Sequence, residues 1–400
     1  MRGFFFGLLL IANGCGSEVV SEPRKNDAPP DPDEAASGST GSIAGTGGGG
    51  AGSGSSGGTA TGGGGGMAGS PAAEVTWSGV DGLAGCQGHT ATELEDGTVL
   101  VVGDCWTPDF TPVGAGIIDA ASGVFGAVSA PGARAYHTAT RLEDGSVLVA
   151  GGQEAGTGVA IAAHWVYAGN AGFAEGDALA EPRFWHAAAR LTDGSVLVTG
   201  GNVGDTDSSW LGTDITSSVE RVSLGGAGVG PASSMIEARA GHAMVQLAGA
   251  ILAIGGTAWD HELASVERYD GGNWTPGPSL PQPIGNVAAV PLTNNRIFVV
   301  ASEGGFVLDQ GTWTPTATAG IPTYLGSAAA AFEGDRVLVV ASAIYSFGCG
   351  VRLYDPALDT WDEVDPGPIT CGGSLVTATA LADGRVLMVS ATGAAVFAQP

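Results

Sequence analysis

The sequence repeats itself, and the period of the repeat decides what the chain can fold into. The unit His89-Thr-Ala-Thr-Glu-Leu94-Glu-Asp96-Gly97-Thr-Val-Leu-Val-Val102-Gly103 returns as His137 to Gly152, His186 to Gly201 and His242 to Gly256. Three weaker copies start at Asn286, Ser327 and Ser374, so the intervals run 48, 49, 56, 44, 41 and 47 residues. Repeats of this length are single supersecondary units that bury their apolar faces against their neighbours.

Each unit opens with two apolar runs around a short turn. Four turns are Asp-Gly: Asp96-Gly97, Asp144-Gly145, Asp193-Gly194 and Asp383-Gly384. Asp-Gly between β-rich runs predicts a type I′ hairpin with positive φ at both central residues. Runs such as Val147 to Ala150 and Val337 to Val340 are apolar throughout, which predicts strands covered on both faces. The second half of each unit adds a third strand and an aromatic fourth, as in Tyr269-Asp270 then Trp274 and Tyr354-Asp355 then Trp361. Four strands repeated seven times give an all-β, seven-bladed β-propeller. The last unit stops at Phe397 without its aromatic strand, while Val75-Thr-Trp77 stands alone ahead of the first. The N-terminal strand is therefore expected to complete the last blade and remove an exposed edge.

The order of His, apolar strand, Asp-Gly, apolar strand, Gly-Gly, Tyr-Asp and Trp resembles the kelch repeat, and Trp77 to Pro400 resembles a bacterial galactose oxidase/kelch-type propeller. Propellers of this kind include enzymes, lectin-like modules and protein-binding scaffolds, so the resemblance implies the fold and leaves the function open. The copper-radical oxidases among them need two Tyr, two His and a Cys linked to one Tyr. With six His mostly in the repeat position and no evident Tyr–Cys pairing, the sequence does not reproduce that set. No cofactor and no catalytic residues are therefore expected.

Ahead of the propeller, Arg2, the apolar run Phe4 to Ala12 and Asn13-Gly14-Cys15 read as an export signal. A small residue before Cys15, then Gly16-Ser17, resembles a bacterial lipobox, which would make 1–14 a signal peptide and Cys15 the lipidated N-terminus. Residues 15–75 follow as a tether, Pro- and acid-rich at first and then built of Gly, Ser, Ala and Thr. Gly41 to Ser70 holds 16 of the chain's 70 glycines, and such a segment buries too little to order itself. That leaves 76–400 to fold. The expected location is the bacterial cell envelope, with membrane contact only through Cys15, or otherwise secretion.

Forty acids against 14 bases give a net charge of −26, and Lys25 is the only lysine. This argues against nucleic acid and anionic membrane surfaces as partners, because both are gripped by patterned Lys and Arg. A protein or carbohydrate ligand and a monomeric state are expected instead.

The repeated His89, His137, His186 and His242 lie in separate blades, beyond the reach of one ion, and fit a packing role beside the glycine pairs. Arg134, Arg183 and Arg239 stand three residues before the last three of them. Each either pairs with an acid of its own blade or, at the channel mouth, offers a fork to an acidic ligand. Loops on that face carry Trp106, Trp210 and Trp259 with carboxylates nearby, which suits a carbohydrate surface as well as a loop anchor. Asp205 and Asp207 are a weak Ca²⁺ candidate. Four cysteines besides Cys15 in an exported chain favour disulfides, in any of three connectivities; all four fall on one face, and Cys86 with Cys105 and Cys349 with Cys371 is the expected pairing. Zinc is the alternative.

The expected function is non-catalytic binding of a protein or glycan through the face bearing Arg134, Arg183, Arg239, Trp106, Trp210 and Trp259. Its rival is a secreted carbohydrate-active enzyme or copper-type oxidase.

Overall fold

The computed structural model describes residues 76–204, 214–224, 228–301, 304–319, 326–342, 349–371 and 376–399. The signal segment, Cys15, the tether, Trp210 and Asp205/Asp207 lie outside them. Seven four-stranded antiparallel sheets follow one another along the chain. The first comprises Gly85–Glu93, Val99–Trp106, Pro112–Asp119 and Val124–Ala127, designated strands a to d. The a strands of successive blades touch in a closed ring, the seventh against the first.

Seven apolar clusters fill the seven spaces between blades, and strand b explains its own sequence. Val99 and Val101 pack with Leu387 and Val389 of blade 7, while Leu100 and Val102 pack with Val147 and Val149 of blade 2. Successive side chains of a strand point to opposite faces, and here both faces meet a neighbouring blade.

The ring closes through the N-terminus. Thr76–Gly79 pairs with Gly393–Ala398 as strand d of blade 7, placing Trp77 opposite Phe397. The Trp77 indole donates to the Asp365 carbonyl of the preceding blade at 2.7 Å. Trp274, Trp313 and Trp361 do the same to Ser233, Pro278 and Ala317, so Trp77 fills the repeat's aromatic slot.

The Asp-Gly turns differ from expectation. Gly97, Gly145, Gly194 and Gly384 have positive φ, but their aspartates do not. Leu94 receives the Gly97 N–H and donates to Thr98, a three-residue loop ending in a left-handed glycine. Asp96 drives the difference, since its carboxylate accepts both the N–H and the hydroxyl of Thr98 and holds Asp96 itself in an ordinary conformation. Two-residue turns with both φ positive occur instead at Ala248-Gly249 and Gln310-Gly311.

Two repeat origins also shift. Thr377 pairs with Val389 as Thr90 pairs with Val102, so Val376 rather than Ser374 stands in the histidine slot. Val287 rather than Asn286 does so in blade 5, where it meets Gly255 as His186 meets Gly151. Cys371 consequently lies five residues before its slot, not at the arginine position.

The histidines link blades. Nε2 of His89, His137, His186 and His242 lies 2.8–3.0 Å from the hydroxyl of Thr377, Thr90, Thr138 and Thr199, each in the preceding blade. Thr199 comes from strand b because Ala187 occupies the position that Thr90 and Thr138 hold on strand a. A Cβ on Gly151 would lie 2.6 Å from the Arg183 carbonyl and 2.7 Å from the His186 ring, which is why this link requires glycine. Gly152 then donates to Arg183 O, Gly201 to Arg239 O and Gly256 to Ile284 O.

Both expected disulfides are formed, Cys86–Cys105 and Cys349–Cys371, with sequence separations of 19 and 22. Removing either pair by Cys→Ala substitution should lower stability by about 3 kcal/mol, the loop-closure term for such spans. Denaturant titration of each double variant beside the oxidised parent checks this.

Candidate functional site

One face of the ring carries the b–c loops and the connections leading into strand a. On blades 1 to 4 these segments pair into short ribbons above the sheets. Gly85 to Gln87 runs against Asp104 to Trp106 in blade 1, and Arg134–Ala135 against Gln153–Glu154 in blade 2. Phe184, Asn202 and Ile215 bridge in blade 3, and Ala240, Thr257 and Glu262 in blade 4. Among the described residues no such ribbon rises from blades 5 to 7. Four consecutive blades thus form a collar.

At the collar's inner edge the residue before each repeat histidine is left-handed: Gly88 at φ 52°, Tyr136 at 57°, Trp185 at 50° and Gly241 at 64°. Glycine adopts this region freely, whereas a bulky side chain there costs on the order of 1–2 kcal/mol. Neighbouring backbone enforces it. Tyr136 N–H donates to Gly88 O at 2.8 Å, Trp185 N–H to Tyr136 O at 3.1 Å, and Gly241 N–H to Trp185 O at 2.8 Å. The two strained rings meet edge to face with centroids 5.3 Å apart, and the tilted Phe184 ring lies 5.6 Å from Trp185.

A carboxyl accompanies them. Burial raises the Asp104 pKa above the usual carboxylate range. The Tyr136 phenol is pushed up to about 12, by burial first and the Asp104 charge second, so it remains a hydroxyl donor at any physiological pH. Burial also raises Glu262 on blade 4. Aromatic faces beside a half-buried carboxyl can stack on a ring or a cation and hydrogen-bond its polar edge.

Sequence reasoning passed over Tyr136 and Trp185. Their signal is present: the slot before the histidine is Gly in blades 1 and 4 and aromatic in blades 2 and 3. Of the tryptophans it did select, Trp259 is exposed at its loop tip and Trp106 is partly buried at the end of its strand.

The arginines require a correction. Arg134, Arg183 and Arg239 are fully buried within their blades and present nothing to a ligand. Each donates to the first carbonyl of its blade's glycine pair, Gly151, Gly200 or Gly255, at 2.7–2.8 Å. Arg183 pairs with Glu220 at 2.8 Å and Arg239 with Glu267 at 2.6 Å. Arg134 has no acid. Trp165 occupies the register position of those glutamates, and the guanidinium lies 3.2 Å from its ring centre, leaving Nε and Nη2 without partners. Burial lowers the Arg134 pKa to about 9.

No three His, Cys, Asp or Glu side chains among the described residues converge on a point that could hold a metal ion. The repeat histidines spend Nε2 on threonine hydroxyls, His261 bonds Asp260, and the four described cysteines are oxidised in pairs. That donor chemistry does not fit a copper centre of the Tyr, His and Cys type. The two disulfides point to an oxidising, extracytoplasmic setting, and no helix among the described residues is long and apolar enough to cross a membrane.

Comparison with known proteins agrees with this geometry. The model of the kelch motif matches residues 238–281, which is blade 4. A solved structure described as a novel fungal alcohol oxidase with catalytic diversity among the AA5 family, in complex with copper, superposes with a TM-score of 0.61 at 14% identity. The overlap covers 81% of this chain and 76% of that one. Among curated proteins none matches the sequence. The chain is a seven-bladed β-propeller carrying a kelch motif, and its likeness to the alcohol oxidase structure is a likeness of fold.

Proposed function

We propose that this protein is a non-catalytic binding module of the cell envelope, which captures a protein or glycan ligand on the collar of blades 1 to 4. The observation that carries the reading is the pair Tyr136 and Trp185. Two large aromatics occupy a backbone conformation that blades 1 and 4 fill with glycine, at the inner edge of an exposed face. Strain of this kind persists where a side chain is held for a purpose other than stability. Trp259 on blade 4 and Trp106 on blade 1 extend the same face, and Trp210 belongs to the loop of blade 3. In this reading the segment through Cys15 attaches the module to a membrane and 15–75 gives it reach.

The fold likeness to a copper alcohol oxidase favours a second reading, a secreted oxidase. The committed histidines and paired cysteines weigh against it.

Tyr136→Gly and Trp185→Gly separate capture from folding. Each variant should lose ligand capture on a glycan array or partner screen by tenfold or more, while its thermal midpoint stays within a few degrees of the parent or rises as strain is released. A steep fall in the midpoint would make the rings packing elements and remove the basis of the proposal. Stoichiometric copper in the purified protein would replace it with the oxidase.

A further inference from the structure

We infer that the partner of this collar is a cationic polypeptide segment, one that alternates Lys or Arg with apolar side chains; this rests on the collar being the binding face. The raised segments of blades 1, 2 and 4 present exposed apolar side chains, each with a carboxylate beside it. Phe110, 79% exposed, adjoins Asp109 in blade 1, and Trp259, 60% exposed, adjoins Asp260 in blade 4. Exposed Val159 in blade 2 accepts the backbone N–H of Glu154. Exposed Ile236 adjoins Glu237 on the connection into blade 4, and that carboxylate is 47% exposed.

The charge on this face has one sign. Arg134, Arg183 and Arg239 are sealed inside the blades, and His261, bonded to Asp260, is the only basic side chain of the collar segments in reach of solvent among the described residues. Asp109 is held below the usual carboxylate range by the hydroxyls and N–H of Thr107 and Thr111, so it stays charged. A surface of apolar tips spread over three blades and flanked by acids, with His261 the one base among the described collar residues, suits an extended chain with apolar and cationic residues in turn. A neutral sugar would leave the carboxylates unanswered, and an acidic ligand would be repelled.

The test uses the full chain and a fluorescent twelve-residue peptide of repeating Arg-Leu-Gly, with the same peptide carrying Glu for Arg as control, in 150 mM salt. Binding of the Arg peptide alone is expected. It should weaken about tenfold in the pair Phe110→Ala/Trp259→Ala and again in Asp109→Asn/Asp260→Asn, and remain unchanged in Glu95→Gln/Glu143→Gln, which removes equal charge from the opposite face. Equal weakening by the opposite-face pair would mean attraction to bulk charge and overturn the inference. Capture of neutral oligosaccharides without the Arg peptide would overturn the inference and leave the binding module standing. No binding of either probe would remove both.

Discussion

Lowering the pH from 7.5 to 5 should strip this propeller of several kcal/mol of stability before most of its carboxylates titrate. Burial lowers the pKa of His89 to about 4 and of His186 to about 3, and holds His137 and His242 well below the ordinary value of 6.5. Folded, these rings are neutral; unfolded, they take up a proton below about pH 6.5. The unfolded state then binds more protons, so stability falls with falling pH. The contribution is complete above 6.5 and declines from there down toward the folded values. Each histidine accounts for about 1.4 kcal/mol per pH unit in that window. Four of them give roughly 8 kcal/mol at pH 5, an upper figure, because some burial relaxes on protonation. Most carboxylates protonate nearer pH 4, so relief of self-repulsion in this acidic chain comes later. Denaturant midpoints at pH 7.5, 6.5, 5.5 and 5.0 measure the slope. The pair His137→Val/His242→Val imitates Val287 and Val376 of the same ring, and it should remove a little under half of the slope, since buried His164 is also lowered; an undiminished slope would assign the acid sensitivity elsewhere.

Substituting Glu220 by Gln should destabilise the protein by about 3–5 kcal/mol, the usual consequence of leaving one member of a buried ion pair alone. Glu220 is buried, accepts Arg183 Nη2 at 2.8 Å and also receives the Ala180 N–H at 2.6 Å. Arg183→Met should cost as much, because it strands the glutamate. Arg134→Met should cost little or stabilise, because Trp165 stands where the acid would be and the guanidinium is already uncompensated. Blade 2 thus supplies an internal control for blades 3 and 4. A loss at Arg134 equal to that at Arg183 would show that the carbonyl bonds to the glycine pair, not the ion pair, hold the slot.

The repeat made the fold legible because each of its letters performs one task seven times. Apolar b strands, the glycine pairs, the tryptophans of strand d and the orphan Trp77 all sit where their pattern placed them. Burial was harder to read. Arg134, Arg183 and Arg239 have the spacing of mouth residues, yet Glu220 and Glu267, some 28 to 37 residues downstream, draw two of them inward, and nothing local announces that. Tyr136 and Trp185 escaped notice for a related reason. Their importance lies in a backbone angle, which appears in sequence only as the glycines at the same slot in other blades. The acidic collar could be counted but not assembled, because its loops differ in length and share no motif.

The strand that closes the ring also sets how the molecule bears tension. Seventy-five residues precede Thr76, and a pull through them enters the propeller at a four-residue strand on the outer edge of blade 7. Along the strand axis the load falls at once on all four residue pairings with Gly393–Ala398 and on the Trp77 indole bond to blade 6. Across that axis the pairings yield one after another, and the ring unzips from its rim. The protein therefore has a strong and a weak direction of pulling, fixed by where Thr76–Gly79 is sewn in.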